Sequence, residues 1–523
     1  MAADGGAGLI VRFVEVLLAA IFGALTAWLG FAPVAWWWVP FIGFAVLTAL
    51  IARAPTVKRG AAIGFLFGLG YFLAGVAWVH ISLNEFGGMP LAMAWLAAFL
   101  FCAFLSLYPM LAGAFVAWAR PRNPWFFAFV FASAWTFAEY LRAHLFSGFE
   151  WLSVGVSQTP TYFAEYASIF GMFGVSFVVI FCGACVIEQW KLWNEDWQAR
   201  HRESFAQSLF KRGDVRRPGT WVFAVFLLMG GALGVGVHFS SPLVTPAKIS
   251  LLQGNVAQSM KWEPEKFAQT LELYERLINR AKGELIILPE TAFPAPLSRI
   301  PPEYIARLEA MAKARNANLV IGVPLQDQGK FYNGAISLGI DPTQEYRKVH
   351  LVPFGEYMPL RGIFSWFYAN LTIPMSDFLS GDARQPVMKL NGQSLGISIC
   401  YEDAFARDVY RALPDATLLV NISNDAWFGQ SAAAEQHLQL SQMRAIEFAR
   451  PMLRANNTGI TAVIDEKGRV TQRLAPFTEG ILETTVQGRK GYTPYTVWGD
   501  LPILLICLAG IGIGAGQRWR RGS

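Results

Sequence analysis

Apolar residues fill the first 240 positions and the last 25 or so, and the stretch between mixes apolar and polar positions as a water-facing domain does. Crossing a bilayer takes about twenty mostly apolar residues in a helix. Eight segments meet that requirement: residues 13–29, 34–52, 61–80, 91–118, 124–141, 163–187, 221–239 and 501–516. The fourth is long enough to tilt or to include an interfacial turn. The first lacks a small-residue cleavage site and another span follows at once, so it reads as an anchor rather than a signal peptide. Three divisions result: 1–240 with seven transmembrane helices, 241–497 as a water-facing domain, and 498–523 as an eighth helix with a basic tail.

The middle region alternates strands and helices, then turns to hairpins. A strand-like run at 248–252 leads into Gln253-Gly254-Asn255. Phe267, Leu271, Tyr274 and Ile278 recur at helical spacing within 264–282, and Pro264 suits a first helical turn. A buried strand at 285–288 ends in Pro289-Glu290-Thr291, and a helix over 302–315 precedes strands at 319–323 and 333–340. Residues 395–399 form an apolar strand ending at Cys400, followed by a strand at 417–422 and a helix over 432–450 stopped by Pro451. Residues 461–464 and 470–474 flank Asp465-Glu466-Lys467-Gly468 as a hairpin. This order predicts a mixed α/β layered domain. Residues 364–378, with Phe364, Trp366, Phe367, Tyr368 and Leu371, show no clear period. Such a loop dips into lipid, gates an apolar substrate or packs on its own domain.

Composition supports a membrane protein. Of 523 residues 54% are hydrophobic and 15% charged, against about 25% charged in soluble chains. The net charge of +6 is no nucleic-acid signature, because the basic residues sit mainly in short loops between apolar segments. Arg53, Lys58, Arg59, Arg120, Arg122, the basic cluster from Lys191 to Arg217, and Arg518, Arg520 and Arg521 fall in alternate loops. Loops 30–33, 81–90 and 143–162 contain no lysine or arginine. The positive-inside rule therefore places both termini in the cytoplasm and the middle domain outside it. Glu139 and Arg142, three apart near the outer end of the fifth span, share a helix face and can pair. They read either as a functional charge pair or as an interfacial salt bridge. Cys182 and Cys185 form a C-x-x-C inside an apolar segment, which reads as helix packing, and no disulfide framework is expected.

Cys400 is the only cysteine between Ser240 and the C-terminal apolar segment. Alone it reads as a small buried hydrophobe. With Glu290 and Lys348, each at or just after a strand end, it supplies what acyl transfer through a thiol requires. Those needs are a nucleophile, a base for its proton and a positive group for the oxyanion. Any long chain offers other trios, so spacing leaves a rival open, a Cys–His pair using His350 or His437. No His, Cys and carboxylate cluster has metal-ligand spacing, and no glycine loop resembles a phosphate cradle, so no cofactor is expected.

Leu288-Pro289-Glu290-Thr291, the stretch from Arg347-Lys348-Val349-His350 to Gly355-Glu356, and Ile399-Cys400-Tyr401-Glu402-Asp403 resemble the Glu, Lys and Cys motifs of the nitrilase superfamily, in order. Asn421-Ile422-Ser423-Asn424-Asp425-Ala426-Trp427-Phe428-Gly429 follows them. With spans on both sides, the whole chain resembles the membrane-integrated apolipoprotein N-acyltransferase family of bacterial inner membranes. The resemblance implies an αββα sandwich facing the periplasm on eight spans. It implies Glu290 as general base, Cys400 as nucleophile and Lys348 as oxyanion stabiliser. It assigns Glu356 a supporting place, sets Tyr401 and Glu402 beside the nucleophile, and matches Trp262 and Asn333 to further motif positions.

The reaction so implied takes an acyl chain from a phospholipid, usually phosphatidylethanolamine, onto Cys400 as a thioester. It then passes the chain to the α-amine of a diacylglyceryl-cysteine at an apolipoprotein's N-terminus. The expected partners are membrane lipids and the diacylated lipoprotein, with no nucleic acid, and the expected state is a monomer. A tethered amidase that passes its acyl group to water, a Cys–His hydrolase and a non-enzymatic lipid-binding or transport protein are the alternatives. Few polar residues lie within the spans, which weighs against transport.

Overall fold

The computed structural model describes residues 2–202, 218–257, 264–359 and 377–521. It contains a helical unit of Met1–Ala77, Phe99–Val237 and Trp498–Ser523, and a sheet unit of Trp78–Ala98 and His238–Val497. Within the described residues, Phe13–Gly30, Val57–Val76, Leu91–Ala119, Tyr162–Val186 and Leu501–Trp519 are long and apolar enough to cross a membrane by length and composition. Val39–Ala52 and Val222–Gly234 are shorter apolar helices, and Pro124–His144 is a helix as well. Two expectations change in detail. The helix expected over 61–80 ends at Val76, and the span expected over 91–118, Leu91–Ala119, carries an irregular turn at Ser106 between Leu91–Leu105 and Leu107–Ala119. Ser106 Oγ turns back to Cys102 O at 2.6 Å, a side-chain bond that competes with the helical ladder.

Large apolar side chains such as Trp28, Leu228 and Leu505 are exposed on the helical unit, the reverse of a water-facing helix. Close approach of helices requires glycine. A Cβ on Gly23 would lie 2.0 Å from Phe67 O, and one on Gly70 would lie 2.0 Å from Ala20 O. Helices Ala2–Gly30 and Val57–Val76 therefore meet backbone to backbone.

Glu139 and Arg142 are both buried but take separate partners. Glu139 Oε1 accepts from Trp135 Nε1 at 3.1 Å and from Val154 N at 3.0 Å. Arg142 donates to Phe149 O, Trp151 O and Ser153 Oγ at 2.6, 2.7 and 3.1 Å, and its guanidinium lies over Phe72. The expected partnership between the two becomes a shared task. Each satisfies polar groups of the irregular segment after the helix, which includes the short 3₁₀ turn Val154–Gln158. Non-helical backbone inside an apolar unit needs such donors and acceptors.

The sheet unit contains strands β1 (Ser240–Pro242), β2 (Ala247–Gln253), β3 (Leu285–Ile287), β4 (Asn318–Asp327), β5 (Lys330–Gly339), β6 (Glu345–Arg347) and β7 (Met388–Leu390). They continue with β8 (Gln393–Ile399), β9 (Leu418–Ser423), β10 (Met452–Asn456), β11 (Ala462–Ile464), β12 (Val470–Arg473), β13 (Gly480–Val486) and β14 (Arg489–Gly491). Two six-stranded sheets result, ordered β13-β2-β3-β4-β5-β6 and β12-β11-β10-β9-β8-β7, with β1 paired to β14. Alternation along each strand builds the layers. Ile249, Leu251, Leu285 and Ile287 share one core with Ile397, Ile399, Val420 and Leu453 of the other sheet. The alternate positions Leu252, Ile286 and Leu288 pack outward on Tyr274, Ile278, Tyr304 and Leu308, from helices Pro264–Arg280 and Pro302–Lys313. Leu419 and Met452 pack outward on Leu438, Ala445 and Phe448 of helix Ala433–Phe448. The unit is an αββα sandwich. The aromatic stretch 364–376 and Trp262 lie outside the described residues, as do positions 203–217 of the basic loop.

Candidate active site

Two sheets bring three chain segments together. Glu290 follows β3, Lys348 directly follows β6, and Cys400 directly follows β8, and all three are buried. Asn333 joins them from β5, whose register with β6 places Gly334 opposite Arg347. Lys348 N donates to Asn333 O at 2.8 Å, tying the lysine's backbone to that strand.

A single amide organises the acidic residues. Asn333 Nδ2 lies 2.7 Å from Glu290 Oε1 and 2.7 Å from Glu356 Oε1. Lys348 Nζ lies 2.9 Å from each oxygen of Glu356 and 3.9 Å from Glu290 Oε1. Val352 N adds a bond to Glu356 Oε2 at 2.8 Å, so Glu356 is fixed on both sides. Burial opposes charge on Lys348, but Glu356 and then Glu290 outweigh it and hold the amine protonated well above the ordinary lysine range. Burial and then the charge of Glu290 push the Cys400 thiol up, while Lys348 pulls it down. The protonated thiol is the form this environment favours.

Cys400 adopts a left-handed backbone with φ of 52°, an arrangement that costs a residue with a Cβ about 1–3 kcal/mol. It opens the 3₁₀ turn Cys400–Ala404. Glu402 in that turn accepts from Ile399 N at 2.7 Å, Val349 N at 2.7 Å, His350 N at 3.1 Å and the Tyr346 hydroxyl at 3.0 Å. It thus fastens the end of β8 to the segment that carries Lys348. Burial, then Asp408, raise its pKa to about 7 against the opposing pull of Lys348 and the backbone donors. Tyr401 packs its ring edge-on against Phe405 at 4.8 Å.

The two histidines hold other posts. His350 Nδ1 meets Asp408 Oδ2 at 2.6 Å. His437 is clasped by Asp403 at 2.7 Å and Asp425 at 2.9 Å. Burial and Arg454 oppose its charge, yet the two carboxylates win and raise its pKa to about 9. Both ring nitrogens of His437 are thus engaged by carboxylates, Nδ1 by Asp425 and Nε2 by Asp403. Sequence reasoning left Asn421 without a role. The structure puts its Nδ2 3.1 Å from Cys400 O. The motif beginning at Asn421 was visible, but its aim at a carbonyl 21 positions upstream was not. Among the described residues, no group of three or more His, Cys, Asp or Glu side chains could hold a metal ion.

Residues 248–493, the αββα sandwich that holds these side chains, match the carbon-nitrogen hydrolase family model. A solved carbon-nitrogen hydrolase superfamily protein from Xanthomonas campestris is similar at 22% identity, covering 46% of this chain and 91% of its own, with a TM-score of 0.36. Residues 23–185 match the apolipoprotein N-acyltransferase N-terminal domain. The chain is 42% identical to the apolipoprotein N-acyltransferase of Nitrosomonas europaea, over 93% of this chain and 94% of that one. It is 37% identical to that of Methylococcus capsulatus, over 97% of each. The chain belongs to the apolipoprotein N-acyltransferase family, and it is a membrane-protein acyltransferase.

Proposed function

We propose that the protein transfers a fatty acyl chain from a phospholipid, phosphatidylethanolamine foremost, to the α-amine of an S-diacylglyceryl-cysteine at an apolipoprotein's N-terminus. The observation that carries this reading is the buried Glu290–Asn333–Glu356–Lys348 network beside the Cys400 thiol, in a chain of that family. Glu290 takes the Sγ proton as the sulfur attacks the ester carbonyl. Lys348 and backbone N–H groups steady the oxyanion. The intermediate collapses, the lysophospholipid alkoxide leaves with the proton from Glu290, and a thioester remains. The lipoprotein amine then attacks the thioester, Glu290 accepts its proton, and the sulfur departs and takes that proton back, which restores the thiol and the free carboxylate. Exclusion of water favours the amine over hydrolysis. Asn333 aims the base, Glu356 aims the lysine, and Glu402 joins the lysine's segment to the end of β8 that carries Cys400. Trp262 and Tyr401 complete the set of residues assigned to substrate binding or support.

The distribution of Lys and Arg supports eight spans, seven before residue 240 and one within 498–523, with both termini cytoplasmic and 241–497 on the periplasmic side of a bacterial inner membrane. The working state is a monomer. The test is intact-mass analysis of the purified protein after incubation with phosphatidylethanolamine and then with a diacylated lipopeptide. An acyl adduct on Cys400 that vanishes as the lipopeptide gains one chain is the expected result. An adduct released as free fatty acid, with the lipopeptide unchanged, would make the protein a lipid hydrolase.

A further inference from the structure

The proton-transfer network accounts for the thiol's chemistry but not for its placement. Cys400 turns the chain out of β8 in a left-handed conformation that its Cβ disfavours, so other groups must hold it there. Its carbonyl meets two side chains from outside the network. Asn421 Nδ2, on β9, lies 3.1 Å from Cys400 O, and His437 Nε2, on helix Ala433–Phe448, lies 3.3 Å from the same atom.

Both clamping groups are rigidly held. Asn421 Nδ2 also lies 3.2 Å from Ser398 Oγ. The ring of His437 is fixed between Asp403 Oδ1 and Asp425 Oδ1. Those carboxylates are held in turn, Asp403 by Arg454 Nη1 at 2.9 Å and by Ser441, and Asp425 by Asn456 Nδ2 at 2.6 Å and Ser423 Oγ at 3.1 Å. All of these residues are buried. The clamp therefore reports the position of β9, β10 and the helix to one peptide plane. A trans peptide is planar, so fixing the Cys400 oxygen also fixes the Tyr401 N–H on the opposite side.

We propose that Asn421 and His437 are positioning residues for the nucleophile, clamping the Cys400 carbonyl so that the thiol is presented to Glu290 and Lys348. The assignment rests on Cys400 being the nucleophile of the proposed reaction. Neither residue touches the lipid or exchanges a proton in it. Their effect is on reach and orientation, where a shift of about 1 Å can cost a hundredfold in rate.

The test uses the full-length protein in detergent micelles. Asn421→Leu keeps the size and removes the donor without adding a charge. Its rate constant of acyl-enzyme formation at saturating phosphatidylethanolamine is expected to fall about tenfold or more, with KM for the lipid unchanged. The pH midpoint of Cys400 alkylation by iodoacetamide, followed at that cysteine by peptide mass spectrometry, is expected to move. Both readouts are taken per folded molecule. A merely structural role would lower the folded fraction and leave both unchanged, and that result overturns the proposal. His437→Gln and His437→Leu give a second comparison should Asn421→Leu fail to fold. Gln restores an amide donor and recovers rate relative to Leu, whereas equal rates overturn the clamp. If the wild type forms no acyl adduct yet the alkylation midpoint still moves in the variants, the acyltransfer reading fails and the clamp stands. If the wild type acylates and the variants match it, the clamp fails alone.

Discussion

Lys348 Nζ stands 3.9 Å from Glu290 Oε1, near enough to feel its charge and too far to hydrogen-bond with it. The closer carboxylate is Glu356, at 2.9 Å. This spacing keeps a carboxylate and a cation in one buried site without a direct hydrogen bond between them. Removing Glu356 removes the competitor. In Glu356→Ala, Lys348 is expected to close on Glu290, and acyl-enzyme formation should fall by about 10²–10³. Stopped-flow or quench-flow measurement of the acyl-enzyme burst, normalised to folded protein, checks this. A burst within twofold of wild type would remove Glu356 from the machinery.

Asn333 carries the same logic for the base. Its amide holds one oxygen of Glu290 and one of Glu356. Asn333→Ala frees Glu290 to rotate and is expected to slow acylation about 10²-fold, within the range that general bases contribute. Asn333→Asp should be worse, since a third carboxylate would face two others. The ordering wild type, Ala, Asp in single-turnover rate is the observation to seek.

The thiol's titration has a definite sign. Burial and Glu290 favour the protonated form, and Lys348 alone among the leading influences opposes them. Alkylation of Cys400 by iodoacetamide should therefore keep rising with pH beyond the ordinary thiol range rather than level off below neutrality. Lys348→Met removes the lowering influence and should move the rise to still higher pH. A plateau at acidic pH would instead indicate a thiolate stabilised by an imidazolium.

His437 should show itself in stability. Its pKa is raised to about 9 by Asp403 and Asp425, against the pull of burial and Arg454. The folded state thus binds the proton more tightly than the unfolded chain does. The stability contributed is complete below the unfolded value near 6.5 and is lost as pH rises through about 9. Asp403 and Asp425 have lowered pKa values, despite burial, because His437 and Arg454 face them, so their contribution is lost on acidification instead. Melting of the sheet unit in detergent should fall as pH rises from about 6.5 through about 9. His437→Leu should abolish the alkaline fall and cost about 3–5 kcal/mol, the usual consequence of stripping one partner from buried charges.

In the helical unit, Arg142 satisfies two carbonyls and a hydroxyl of the segment after its helix. Arg142→Lys keeps the charge but cannot supply the planar fork, and Arg142→Leu leaves Phe149 O and Trp151 O without their donor. Thermal unfolding in detergent is expected to drop in the order wild type, Lys, Leu. Equal melting of all three would show that the segment does not depend on this side chain.

Local pattern determined much of this molecule. Apolar helices, the alternation that sorts Leu251 inward and Leu252 outward, and the ends of β3 and β8 that carry Glu290 and Cys400 follow from residues adjacent in the chain. Periodicity and strand termini are short-range properties, so they can be read along one dimension. The β4–β5 hairpin was less legible, because its turn uses Gln328-Gly329 rather than an Asn-Gly or Asp-Gly pair. Tertiary structure alone decided the rest. Asn333 reaches Glu290 across 43 positions, Asn421 reaches the Cys400 carbonyl across 21, and His437 closes on the same carbonyl across 37. Glu139 and Arg142 share a helix face by spacing, yet they spend their polar atoms on Val154, Phe149, Trp151 and other groups, because buried backbone beside them needed partners. Hydrogen bonds between distant segments depend on how layers stack, and no local sequence property records that distance.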